Sequence, residues 1–300
     1  MKMEKRLLKL SAVGGLFFAV LGLAWGLGLN SEMLFFDGLY SLISLLLSLL
    51  AIFICSYMDK NDKINFPFGK ETLRPIVVII KSTVLILMCS ISLINSLKTI
   101  FLGVNSIEIS FAILYTVISI IGCGSIYLYM YVSSKKLNSD ILKAESNQWL
   151  MDGLISLGVF IGFILVLILK RTSLSFLCNY IDPLMVIISS SLFLKFPITS
   201  LCNSFKEVIQ GKASDDIYDQ ITKVVKDIEN EYSISESVTR VSKIGNMLRI
   251  EIDFILSKHS KIDTIEEMDK IRDRVEYSTN TINLKKWLNI SFTRNRKWAV

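Results

Sequence analysis

The chain has 300 residues, of which 52% are hydrophobic and 20% charged, and its mean hydropathy of +0.51 is too high for a pair of soluble domains of that length. Four prolines and fifteen glycines among abundant Leu and Ile exclude collagen-like, low-complexity and disordered chains. A membrane protein is expected, and the formal net charge of +6 matters through where its Lys and Arg fall along the chain.

A bilayer core takes about 20 apolar residues per helix. Six stretches qualify: Leu10 to Leu29, Met33 to Tyr57, Ile76 to Leu97, Ile107 to Val132, Ala144 to Leu169 and Phe176 to Phe196. The first follows Lys2, Lys5, Arg6 and Lys9, as a signal peptide would, but its length, the lack of a small-residue cleavage site and the span directly after it predict a retained helix. Cytoplasmic loops gather basic residues. Those four, then Lys60, Lys63, Lys70 and Arg74, then Lys135, Lys136 and Lys143 share one side, against Lys98, Lys170 and Arg171 on the other. Both termini are therefore expected in the cytoplasm, on a multi-pass protein of the cell (plasma or inner) membrane, with domains at 1–205 and 206–300.

Beyond Lys206 the chain turns charged and periodic. Ile217, Ile221, Val224, Val225 and Ile228 predict an amphipathic helix. Val238 to Val241 and Leu248 to Phe254 flank Gly245-Asn246, a turn pair, and alternation in the second run predicts a hairpin. Thr264 with Glu267 has capping-box spacing ahead of a stripe of Ile265, Met268, Ile271 and Val275. A strand from Trp287 to Phe292 follows. The expected fold is an all-α six-helix membrane bundle with a cytoplasmic α+β domain of αββαβ order.

A carboxylate in hydrocarbon costs roughly 2.5 to 3.5 kcal/mol on insertion scales, so ionisable residues within spans are functional candidates. These are Asp37, Lys81, Asp152 and Asp182, the last beside Pro183. Asp37, Ser41 and Ser44, with Tyr40 beside them, form one face of the second helix, and Gln148, Asp152 and Ser156 one face of the fifth. Opposed, these faces would line a polar pocket; taken singly, the serines also suit helix packing. Asp152 is deep, whereas Asp37 is about a turn from the extracytoplasmic surface, as an entrance or proton-handling group or a snorkelling one. Lys81 either snorkels or pairs with Asp152. Five scattered cysteines form no disulfide or zinc pattern and read as buried apolar groups, with soft-metal ligation by Cys123 or Cys178 as the alternative.

Several strings carry a family resemblance: Phe36-Asp37-Gly38-Leu39-Tyr40-Ser41-Leu42-Ile43-Ser44, Phe66-Pro67-Phe68-Gly69-Lys70, Ala144-Glu145-Ser146-Asn147-Gln148-Trp149-Leu150-Met151-Asp152, Tyr180-Ile181-Asp182-Pro183 and Lys286-Trp287-Leu288-Asn289-Ile290-Ser291-Phe292. With six spans and the αββαβ tail they make the chain similar, over nearly its whole length, to the cation diffusion facilitator (cation efflux) family of metal/proton antiporters. The resemblance implies a ferredoxin-like tail, a homodimer, and a transport site at Tyr40, Ser44, Gln148 and Asp152; Asp37, Lys81 and Asp182, as ionisable residues within the spans, are the expected proton-coupling or gating groups. Of the family's usual histidine and aspartate ligands only Asp152 remains, which marks a divergent subgroup. The single histidine, His259, falls in the loop after the hairpin, Asp269 stands where the family often has a helix histidine, and Arg74 replaces a family glutamate.

Oxygen donors favour Mn²⁺, Fe²⁺ or Mg²⁺ over Zn²⁺ as the transported ion, and no resident cofactor is implied. The expected function is divalent cation/proton antiport by alternating access across the lipid bilayer. The rival is a transport-deficient relative that serves as a regulatory or scaffolding subunit. An enzyme is disfavoured by the lack of a nucleophile and base pair, and a nucleic-acid partner by the mixed charge of the tail.

Overall fold

The computed structural model describes residues 2–58, 62, 64–102, 109–137, 140–173, 175–282 and 284–299. Lys60, Lys63 and residues 107–108 of the fourth predicted span lie outside the described residues, as do the side chains of Lys2, Lys5, Cys55, Lys143, Ala144, Glu145 and Asn147. Six helices among them are long and apolar enough to cross a membrane: α1 (Lys2–Leu29), α2 (Glu32–Met58), α3 (Leu73–Leu102), α4 (Ile109–Leu137), α5 (Asp140–Leu169) and α6 (Ile181–Val208). The chain is a multi-pass membrane protein. The sixth span departs from expectation at both ends. Ser175–Tyr180 is a 3₁₀ turn, and α6 begins at Ile181 with Pro183 in its first turn, where a missing N–H costs no helical bond. It then runs through Pro197 to Val208, well past Phe196.

Two compact units emerge, Met1–Ile52 with Lys81–Ile198, and Phe53–Ile80 with Thr199–Val300. In the first, α1 and α2 form a tight hairpin. Asn30 takes the left-handed conformation at φ 53°, and the Ser31 N–H reaches the Gly26 carbonyl at 3.0 Å, the long bond of a Schellman end. The Ser31 hydroxyl accepts the Leu34 N–H at 3.3 Å and so caps α2. The two helices touch through glycines: a Cβ on Gly38 would stand 2.4 Å from the Leu23 nitrogen, and one on Gly26 2.4 Å from the Phe35 nitrogen. Met33, Phe36, Met88, Tyr115 and Phe163 are buried in the core that α2, α3, α4 and α5 share.

In the second unit the tail follows the order α7 (Asp215–Tyr232), β1 (Glu236–Ile244), β2 (Met247–Ile255), α8 (Ile265–Ser278) and β3 (Lys285–Thr293). The sheet order is β1-β2-β3, antiparallel and then parallel. Alternation puts Leu248, Ile250, Ile252 and Phe254 fully inside against Ile221, Val225 and Ile228 of α7. Gly245 takes φ +57° in a two-residue turn that closes Ile244 against Met247, the place of glycine in a type II′ hairpin. The capping box forms as expected: the Thr264 side chain accepts the Glu267 N–H, and Glu267 accepts the Thr264 N–H. One stripe residue is corrected. Ile265, in the first turn, is exposed, and Ile262 just ahead of the cap is buried in the core.

This unit also holds the loop between α2 and α3. Phe68 packs on Trp287 with ring centres 5.6 Å apart, and Glu71 bonds Lys285 at 3.0 Å, Arg74 at 2.9 Å and the Asn246 N–H at 3.4 Å. Glu207, near the end of α6, takes Lys243 and the Gly245 N–H on the same hairpin. The loop thus keeps an acidic group, Glu71, even though Arg74 occupies the glutamate position. Burial pushes the Glu71 carboxyl up, but its bonds to Lys285, Arg74 and Asn246 outweigh this and hold it below the usual carboxylate range. A depressed carboxyl stabilises the fold above its unfolded pKa and loses that contribution as pH falls through the folded value. Glu71→Gln is expected to lower stability at neutral pH by on the order of 1 kcal/mol, since Lys285 is largely exposed and screened. In thermal melts the gap to wild type should close in acid; a gap that stayed constant with pH would rule out the carboxylate as its source.

Candidate functional site

A cavity of about 540 Å³ lies inside the first unit. It collects Asp37, Tyr40, Ser41 and Ser44 from α2, Lys81 from α3, and Gln148, Asp152 and Ser156 from α5. Their helical spacing explains the convergence, because residues three and four apart share a face and the two faces meet across the bundle. Six of the seven sequence-predicted site residues are therefore brought together: Asp37, Tyr40, Ser44, Lys81, Gln148 and Asp152. Asp37 and Asp152 both lie within electrostatic range of Tyr40 and of Cys123. Lys81 is eight residues into α3, about 12 Å along the helix. The helix starts three residues ahead of the expected Ile76.

Asp182 is not among them. It is buried at the start of α6, where it accepts the Ser31 hydroxyl at 2.6 Å and the Glu32 and Met33 N–H groups at 2.7 and 3.4 Å. It covers the N-terminus of α2 from a neighbouring helix, where a carboxylate meets unpaired N–H groups and the positive helix end. Glu32 in turn accepts the hydroxyls of Ser96, at 2.5 Å, and Thr99. The Ser156 hydroxyl is bonded to the Asp152 carbonyl of its own helix at 3.1 Å, the back-bond that serine forms within helices.

A third polar face escaped the sequence reading. Tyr115, Ser119 and Cys123 of α4 line the same cavity, and the Tyr115 hydroxyl donates to Asp37 Oδ2 at 2.9 Å. They repeat the i, i+4, i+8 pattern seen on α5, so the same test applied to the fourth span would have found them. The Ser119 hydroxyl is buried with no hydrogen-bond partner among the described residues. On the α1 side, Trp149 donates to the Ser11 hydroxyl at 2.6 Å and closes the wall.

The donor set is two carboxylates, phenols, hydroxyls, one amide and one thiol. Among the described residues no three His, Cys, Asp or Glu side chains gather closely enough to hold a metal ion. A cation here would meet mainly oxygen. The cavity also has room for water, since six waters occupy roughly 180 Å³ at about 30 Å³ each. Cys89, Cys123 and Cys178 are buried as expected, whereas Cys202 is exposed. His259 is exposed, and Asp269 is exposed and bonded to Arg272.

Residues 8–208 match the family model described as the cation efflux transmembrane domain. No curated protein matches the chain.

Proposed function

The chain belongs to the cation efflux family and is a membrane cation transporter, and from that premise we propose that it exchanges a hard divalent cation for protons by alternating access. The observation that carries this reading is the single cavity where Asp37, Tyr40, Ser44, Gln148 and Asp152 meet. Asp152 is the principal ligand, assisted by Gln148, Tyr40 and Ser44. Asp152 and Asp37 release protons as the cation arrives and recover them after it leaves. Tyr115 holds the Asp37 carboxylate by its 2.9 Å bond.

The oxygen-rich wall and the space for several waters support Mg²⁺, Mn²⁺ or Fe²⁺ over Zn²⁺. Mg²⁺ gives up its water reluctantly and is commonly held by one or two carboxylates, while zinc sites gather imidazole, thiolate or carboxylate in a tetrahedron. The protein acts as a homodimer, with both termini in the cytoplasm and residues 206–300 forming a ferredoxin-like cytoplasmic domain. The α7-β1-β2-α8-β3 order supports that last assignment.

A second reading, a relative that no longer transports and serves as a regulatory or scaffolding subunit, is favoured by the absence of three gathered acidic, histidine or cysteine ligands among the described residues. A proteoliposome flux screen with Mg²⁺, Mn²⁺, Fe²⁺, Co²⁺ and Zn²⁺ under an imposed pH gradient separates the two. Uptake of a hard cation with proton counterflow is expected. No flux of any ion would leave the regulatory reading standing.

A further inference from the structure

A second cavity, of about 410 Å³, lies in the first unit between α2, α3 and α6 and shares no residue with the polar cavity described above. It extends along α2 from Glu32 to Ile43 and along α3 from Ser96 back to Val84, which is about 17 and 18 Å at 1.5 Å per residue. Half of a bilayer core about 30 Å thick is about 15 Å, so the cavity has the depth of one leaflet. Its lining changes with depth. Glu32, Asn95 and Ser96 stand at the shallow end, Ser92 one turn below, and Leu39, Ile43, Val84 and Met88 line the rest. Phe35 and Ile91 on its wall are exposed, which leaves the cavity a groove open at the side of the bundle.

The charge at the rim selects the occupant. The half-buried Glu32 carboxylate accepts the hydroxyls of Ser96 and Thr99, but a carboxylate offers about four acceptor positions and two hydroxyls do not neutralise it. Among the described residues no Lys, Arg or His is ion-paired with Glu32. Asp182 adds a second negative charge within electrostatic range. An apolar groove with an anionic rim is complementary to an amphiphile with an apolar tail and a cationic head. A second copy of the chain seated here would bury Glu32 without a counter-charge, which is costly; a lipid ammonium removes that cost. We propose that the groove binds a phospholipid whose head group carries a primary ammonium, as ethanolamine lipids do. Its acyl chain lies along Leu39 and Val84, and its ammonium donates to Glu32 and to the Asn95 amide oxygen. The lipid comes from the extracytoplasmic leaflet in the orientation proposed above. The inference depends on the chain spanning a membrane and not on the ion it carries, so its failure leaves the transporter reading standing.

The experiment melts the full chain in detergent with added phosphatidylethanolamine or phosphatidylglycerol of identical acyl chains. A charge-assisted bond made only by the ethanolamine lipid is expected to raise the melting temperature by roughly 3 °C more than the glycerol lipid does. Glu32→Gln keeps a carbonyl oxygen for the Ser96 and Thr99 hydroxyls but loses the charge, and should bring the two lipids to within about 1 °C of each other. Because each variant is compared with itself in the two lipids, a change in its own stability cancels. Val84→Trp fills the deep end with the charge left in place, and should abolish the shift from both lipids. Soluble phosphoethanolamine, a head group without tails, should shift the wild-type melt by less than about 1 °C. Equal shifts from the two lipids in wild type, a preference that survives Glu32→Gln, or a full shift from phosphoethanolamine alone would overturn the proposal. So would a dimer that Val84→Trp turns into monomers by light scattering, since the groove would then belong to a second copy of the chain.

Discussion

Asp152→Asn protein in liposomes is expected to transport its cation at least about a hundredfold more slowly than wild type at sub-saturating concentration. The substitution keeps the shape and one carbonyl oxygen but removes one of the two negative charges on the cavity wall. Even at an effective dielectric near 20, a unit charge close to a divalent ion contributes several kcal/mol; losing about 3 kcal/mol of that is about a hundredfold in binding. The neighbouring donors cannot substitute, because Gln148, Tyr40 and Ser44 are neutral and the Ser156 hydroxyl is bonded to its own helix. Asp152→Glu should recover part of the flux, since it restores the charge at a displaced position. Ser156→Ala, which removes only the back-bonded hydroxyl, should stay near wild type. Wild-type flux in Asp152→Asn would rule out this aspartate as the principal ligand.

Much of the fold was legible because the signals were long and periodic. Runs of twenty or more apolar residues have no alternative to a spanning helix in lipid, and the strict alternation from Leu248 to Phe254 permits only a strand with one buried face. The α6 boundaries were not legible, since proline permits a helix start or an end depending on neighbours that composition does not reveal. Ile265 was misplaced for a related reason: a helical stripe shows which residues share a face, but not where the facing sheet stops. The cavity was half legible. The faces of α2 and α5 can be read from spacing, whereas Tyr115 in sequence is one more aromatic in an apolar span. Its partnership with Asp37 depends on how closely α1, α2 and α4 approach. Asp182 carried the chemistry of a functional group, yet its partners are backbone N–H groups about 150 residues away in sequence.

That close approach is where the second large effect is expected. Gly38→Leu should destabilise the protein by at least about 3 kcal/mol and lower its melting temperature in detergent by roughly 10 °C. The added Cβ would sit 2.4 Å from the Leu23 nitrogen, 2.7 Å from the Gly22 carbonyl carbon and 3.0 Å from the Ala19 oxygen. All three are backbone atoms, so no rotamer change on α1 relieves the clash and the helices must separate. Small residues at such crossings let backbones meet where lipid offers no hydrophobic drive to association. The Gly22-x-x-x-Gly26 pair on α1 completes the contact, and a Cβ on Gly22 would stand 2.7 Å from the Tyr115 hydroxyl. Separation therefore reaches the cavity as well. Gly38 follows Asp37 directly, and moving α2 away from α1 and α4 lengthens the 2.9 Å bond between Tyr115 and Asp37. Gly28→Leu is the matched control: it puts the same side chain on α1 at an exposed position with nothing within 4 Å of the new Cβ, and its melting temperature should stay near that of wild type. Equal melting of the two variants would mean that the glycine crossing does not hold α1 and α2 together.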